Sequence, residues 1–241
     1  MNATYEVLNR LAEPLRATLS EYATTLKKLA GDHILAMDIF GDAVAGTFSA
    51  DRHRVQSAAI FDTISLDVLR QLGQEGSRLA AHHIAAPLVF TPAYLIDSCD
   101  TFPLEFIEIQ QRHLTIFGQD YFAPLVFKDA DVRLQCEREL KVISIGLHQG
   151  LLSSGGHEKH LKEIIPRLTE HLLRTLRGLL WLKAVREPLT TNQVVQEIEK
   201  FADRTLPGLW SALGEANGTV WDRYCKLYAD VQVLESFVNG L

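Results

Sequence analysis

The chain has 241 residues, 47% hydrophobic and 22% charged, with 15 Gly, 8 Pro and 3 Cys; that composition excludes a disordered chain, a collagen-like repeat and a disulfide scaffold. The net charge of −6 lies entirely in the first half, because residues 131–241 carry 14 basic and 14 acidic side chains and residues 1–130 carry 10 and 16. An acidic half of this kind repels a phosphate backbone at long range, so broad nucleic-acid binding is disfavoured.

Cys99, Cys136 and Cys225 are far apart and form no C-x-x-C, which fits a reducing compartment and offers no thiolate metal site. The first residues lack the basic-then-apolar order of a signal peptide, and no apolar run approaches the ~20 residues that span a bilayer. The expectation is a cytoplasmic protein with no membrane partner.

Val7, Leu8, Leu11, Leu15, Leu19, Tyr22, Leu26 and Leu29 follow in steps of three and four, the stripe of an amphipathic helix over 4–29. Pro14 sits inside that stripe and is expected to kink or divide it. ILAMDIF (34–40), an apolar run bounded by glycines, reads as a strand buried on both faces. GDAVAGTFSADRHR (41–54) reads as turn and loop, and VQSAAIF (55–61) as the next strand. A helix is expected over 65–81 with Leu66, Leu69 and Leu72 inward. APLVFT (86–91) and FPLEFIEI (102–109) are further strand candidates, with a loop between them.

Beyond Asp129 the period becomes helical. Helices are expected over 132–152, ending at the SSGG turn (153–156), over 157–183 with a kink at Pro166, after a Thr190-Thr191 cap, and over 219–238. Four antiparallel helices on short loops make a bundle.

Several constellations read as structure. His157-Glu158-Lys159-His160 has its second His at i+3, where the His-Glu-x-x-His zinc helix needs i+4, so it reads as an exposed helix start. Arg167 and His171 fall one residue short of the Arg-x₄₋₆-His spacing of HEPN ribonucleases. His82 and His83 close a helix beside its last carbonyls. Trp181, Trp210 and Trp221 read as bundle core, and Lys159, Lys162, Arg174 and Arg177 as solvated faces. No Gly-x-Ser-x-Gly elbow is present.

The informative stretch is strand, Gly41, four residues, Gly46, loop, strand. Glycine directly after a buried strand lets backbone N–H groups converge on a phosphate. No Lys-Ser/Thr follows Gly46, so it is not a P-loop, and no G-x-G-x-x-G is present. IFGDAVAGTF, the stretch PLVFTPAYLIDSCDTFPLEFIEIQQRHLTIFGQDYF with its His-x₃-hydrophobic-Gly-x-Asp-x-Phe turn, and VRLQCEREL resemble the nucleotidyltransferase fold of the DNA-polymerase-β-like superfamily, in a bacterial branch of such proteins. The resemblance covers roughly residues 30–140.

The resemblance implies an α+β fold: a mixed-sheet nucleotidyltransferase-like domain over 1–130, then a helical bundle domain over 131–241. In active members two Mg²⁺ ions, held by an Asp-x-Asp entering the second strand and a third acid from a later strand, carry the transfer. Those first positions fall here at Arg54 and Gln56, which cannot hold a divalent pair, and Asp42 replaces the serine that touches the triphosphate. The third acid falls at Glu105 or Glu108, which strand alternation would put on opposite faces. The expectation is therefore a catalytically inactive pseudoenzyme with no cofactor. It would act as a binding or regulatory module, taking a nucleotide or phosphate through Gly41, Asp42, Gly46, Arg54 and Gln56, with Arg54 supplying positive charge. Two alternatives are kept. One is an active Mg-dependent nucleotidyltransferase using displaced acids (Asp38, Asp42, Asp51, Glu105). The other is an interaction protein that contacts a partner or a second copy through the helical domain.

Overall fold

The computed structural model describes residues 3–11, 13–46, 48–50, 53–214 and 218–240, without the side chains of residues 3–5 and 14. The chain divides into two compact units, Met1–Cys99 with Glu108–Val126, and Asp100–Ile107 with Phe127–Leu241.

In the first unit the N-terminal stripe is divided into a 3₁₀ segment, Ala3–Arg10, and α1, Glu13–Ala30. Leu15, Leu19, Tyr22 and Leu26 of α1 are buried, each such leucine contributing roughly 1.5–3 kcal/mol. β1 is Ile34–Phe40, as the apolar run predicts, and every residue but Leu35 is buried. α2 (Asp42–Ala45), β2 (Gln56–Phe61), α3 (Leu66–Gln74), α4 (Gly76–Ala81), β3 (Leu88–Phe90), α5 (Pro92–Asp97), α6 (Pro103–Gln111) and β4 (His113–Gly118) follow. The sheet is mixed, in the order β3-β2-β1-β4: β1 is antiparallel to both neighbours and β2–β3 is parallel.

Pairing fixes which side chains share a face. Asp38 lies opposite Ala58 and Thr115, and Phe40 lies opposite Gln56 and His113. Side chains alternate along a strand, so Met37, Ile39, Ala59 and Phe61 point the other way, into the core with α1. Tyr22 of α1 reaches Ser57 of that inner face at 3.2 Å. The outer face carries Asp38, Phe40, Gln56, Ala58, Thr115 and His113.

Three expectations are corrected, and one strand is added. Residues 102–109 are not a strand: Leu104 and Ile107, like Phe106 and Ile109, are three apart and buried, and Pro103 opens α6 as its first residue. The expected loop before it contains α5, capped by Thr91 accepting from the Tyr94 N–H at 3.2 Å. The helix over 65–81 is two helices, and Leu66 is 81% exposed, since it begins the first turn rather than sitting on the inward face. β4 is a strand that the periodicity does not announce.

The second unit holds α7 (Asp129–Ser154), α8 (Glu158–Leu182, with Pro166 inside), α9 (Thr191–Ala202), α10 (Pro207–Ala212) and α11 (Val220–Asn239). α8 packs on α7 and α9, and α11 on α7, α8 and α10. Leu161, Ile165, Leu168, Leu172, Leu176 and Leu179 give α8 its buried stripe. α10 is an addition to the four expected helices. Trp181 is buried, but Trp221 is 46% exposed and so is not core. His157 and His160 are exposed at the start of α8. Among the described residues no helix is long and apolar enough to cross a membrane.

Candidate functional site

The end of β1 is where the turn residues gather. Gly41 has φ +74°, a backbone that side-chain-bearing residues rarely adopt. A Cβ there would lie 3.0 Å from the Gln56 Oε1, so the glycine leaves room for the Gln56 amide. The Gly41 N–H is not free to meet a phosphate, because it donates to the Arg112 carbonyl at 3.0 Å. Gly46 closes the turn in the left-handed region, its N–H returning to the Asp42 carbonyl. Asp42 is exposed, with its Oδ2 3.9 Å from the His53 Nε2. Arg54 is exposed just before the start of β2 and has no hydrogen bond or ion pair to another described residue. Asp51 lies outside the described residues.

Glu105 belongs to the second unit and accepts from the Gln135 Nε2 at 2.9 Å, while Glu108 is half-buried in the first. The alternation expected to separate them does not apply, since both lie on a helix. Of the two strands that pair with β2, β3 offers Leu88, Val89 and Phe90 and no acid, and β1 offers Asp38. Two Mg²⁺ ions require several anionic oxygens. Arg54, Gln56 and β3 supply no anionic oxygen.

A different cluster stands on the outer face. One carboxylate oxygen each of Asp38 and Asp120 and a ring nitrogen of His113 lie within 4.8 Å of one another, the sole such trio found among the described residues. Asp38 is completely buried. Its Oδ1 accepts from the Thr115 hydroxyl at 2.6 Å, and its Oδ2 is buried with no partner. Burial pushes its carboxyl up to about 6; the Thr115 hydrogen bond and His113 oppose the rise, and Asp120 adds to it.

His113 is held from behind: its Nδ1 lies 3.0 and 3.1 Å from the Ile109 and Gln110 carbonyls, which assigns the donor proton to Nδ1. Nε2 then faces the Asp120 Oδ2 at 3.0 Å. The imidazole and the carboxylate thus face each other directly. The other oxygen of Asp120, Oδ1, accepts the Phe122 and Ala123 N–H groups at 2.9 Å each. Desolvation raises the Asp120 carboxyl, but the Ala123 N–H, the His113 imidazole and the Phe122 N–H outweigh it and hold the group below the usual range. Phe122 is fully buried, its ring 5.7 Å from that of His113. The His-x₃-hydrophobic-Gly-x-Asp-x-Phe turn is thus the frame of this cluster. The signal for it in the sequence is Asp38, a single acid in a run read as buried on both faces.

The sheet order, the glycine turn after β1 and the helical second unit define a nucleotidyltransferase-like α+β fold. The chain is similar to a solved spectinomycin adenyltransferase, AAD(9), from Enterococcus faecalis, whose structure holds ATP and spectinomycin. The two share 10% identity with a TM-score of 0.55, over 98% of this chain and 99% of that one. No family model matches the sequence, and no curated protein is significantly similar to it.

Proposed function

We propose that this protein is a non-catalytic relative of the nucleotidyltransferases that binds a nucleotide or another phosphate-bearing anion without a metal pair. The observation that carries the reading is the occupancy of the start of β2. Arg54 and Gln56 stand where the resemblance places metal carboxylates, and Gln56 fills the space beside Gly41. Arg54, exposed and unpaired among the described residues, supplies a guanidinium that can clamp a phosphate in bidentate fashion. Asp42 sets a limit on this site: its carboxylate favours a pose in which the phosphates lie toward Arg54 rather than over the turn. Isothermal titration with ATP and GTP, without and with Mg²⁺, tests the reading. Metal-free binding that Arg54→Ala abolishes is expected. A steep gain in affinity with Mg²⁺, or transfer of labelled nucleotide that Asp42→Asn eliminates, overturns it.

One observation favours a second reading, in which the bundle docks a second copy. Leu134, Val142, Ile145 and Leu152 of α7 are 66%, 47%, 53% and 80% exposed, and at 100° per residue they share an arc of about 80° on that helix. Light scattering tests it: a dimer that Leu134→Glu separates is expected, and a strict monomer ends it.

A further inference from the structure

We propose that Asp38, His113 and Asp120 form a binding site for a single divalent transition-metal ion of the zinc class. Three observations converge on it. First, the donors already stand together: the Nε2 of His113 and the Oδ2 of Asp120 are 3.0 Å apart, and all three residues offer a ligand atom within 4.8 Å. A tetrahedral ion with ligands at about 2.0–2.2 Å holds its donors about 3.4 Å apart, so the 3.0 Å pair must open by about 0.4 Å and no other pair need close by more than about 1.4 Å to form a coordination shell.

Second, Asp38 is an orphan. A fully buried carboxylate with one oxygen bonded to Thr115 and the other without a partner carries a desolvation cost that hydrogen bonding within the sheet does not offset. A cation beside it supplies the missing partner. Third, the outer shell is built as metal-bound histidines require. The Nδ1–H of His113 is committed to the Ile109 and Gln110 carbonyls, which orients the ring and leaves Nε2 as the donor. Asp120 is fixed by the Phe122 and Ala123 N–H groups.

The mixed nitrogen and oxygen set selects the class. Imidazole suits Zn²⁺ and its first-row neighbours, whereas Mg²⁺ and Ca²⁺ prefer oxygen alone. Three protein ligands leave one position of a tetrahedron for solvent or an added ligand. An ion can approach from the side of His113 and Asp120, which line an open cleft of about 620 Å³ along β4 together with Arg10 and Lys27, while Asp38 lies buried behind them. The site uses β1 and β4 rather than the Gly41–Arg54 segment, and its test contains no nucleotide, so its failure and that of the anion reading are distinguishable.

The experiment uses the full chain, treated with chelator and titrated with Zn²⁺ by calorimetry and with Co²⁺ by visible absorption. One ion per chain is expected, with the d–d bands of a low-coordinate Co²⁺ site that Zn²⁺ displaces and Mg²⁺ at a hundredfold excess does not. Asp38→Asn and Asp120→Asn, which preserve shape and the Thr115 and Phe122 contacts, should each weaken binding at least tenfold; His113→Ala should abolish the bands. His157→Ala/His160→Ala should leave affinity unchanged. Far-UV circular dichroism confirms folding of each variant, and His113→Gln replaces the alanine variant if that one does not fold. Absence of the bands in the unmodified chain, equal affinity in the aspartate variants, loss of binding in the His157/His160 pair, or displacement by Mg²⁺ overturns the assignment.

Discussion

Gly118 ends β4 with φ +84°, and a Cβ placed on it would lie 2.0 Å from the Leu35 carbonyl oxygen and 2.7 Å from the Ala36 Cα. No side-chain rotation relieves contacts with backbone atoms. Gly118→Ala is therefore expected to destabilise the first unit by about 2–4 kcal/mol, the sum of a left-handed backbone cost and a forced strand shift. Denaturant titration measures it, and a change below about 0.5 kcal/mol would show that the strands separate freely here. The same residue explains part of the sequence pattern. The glycine in the His-x₃-hydrophobic-Gly-x-Asp-x-Phe turn exists so that β4 can cross close to β1, which brings Asp120 back to His113. The motif was visible as a string; its purpose was not, because His113 and Asp38 are 75 residues apart and meet only through strand pairing.

At the scale of elements, local signals served where one element satisfied its own backbone. β1 is an apolar run interrupted only by Asp38, β2 ends in the apolar Ala58–Phe61, and α9 and α11 begin at threonines whose boxes are complete. α6 gives no local capping signal because its first N–H is satisfied at a distance: the Leu104 N–H donates to the Gln135 Oε1 at 2.9 Å, a partner that no local window contains. A helix buried over much of its circumference also loses the contrast between faces on which periodicity depends. Where the cap is local, its worth is testable. Thr190 and Gln193 close a reciprocal box at the start of α9, with the Thr190 N–H donating to the Gln193 Oε1 at 2.9 Å. Thr190→Ala is expected to cost about 1 kcal/mol and Thr190→Ser to restore most of it. An alanine variant with an unchanged denaturation midpoint would mean that tertiary packing alone fixes the end of α9.

For the molecule as a whole, the fold class was legible because a change from strand texture to helical period survives any error in single elements. The run over 34–40 signals the buried Asp38, but nothing in the helical half signals that α11 buries an acid, and this bears on how the stability of the chain varies with pH. Asp230 on α11 is 3% exposed and accepts the Leu209 N–H at 2.8 Å. Burial pushes its carboxyl up to about 7; the Leu209 and Gly208 N–H groups oppose the rise, and the neighbouring Glu199 adds to it. The folded pKa thus lies above that of the unfolded chain, near 3.8. Between those values the native state holds a proton that the unfolded state has released, so this group's contribution is complete below pH ~4 and is lost as pH rises through ~7. Its ceiling is about 4 kcal/mol at 1.36 kcal/mol per pH unit of displacement. Asp230→Asn keeps an acceptor for Leu209 and cannot ionise. It should flatten the decline in unfolding free energy between pH 5 and pH 8, and at pH 8 should be at least as stable as the unmodified chain. Urea titrations of both proteins at pH 5 and pH 8, followed by helical circular dichroism with chelator present, decide the matter: parallel declines in the two would show that Asp230 stays ionised in the fold.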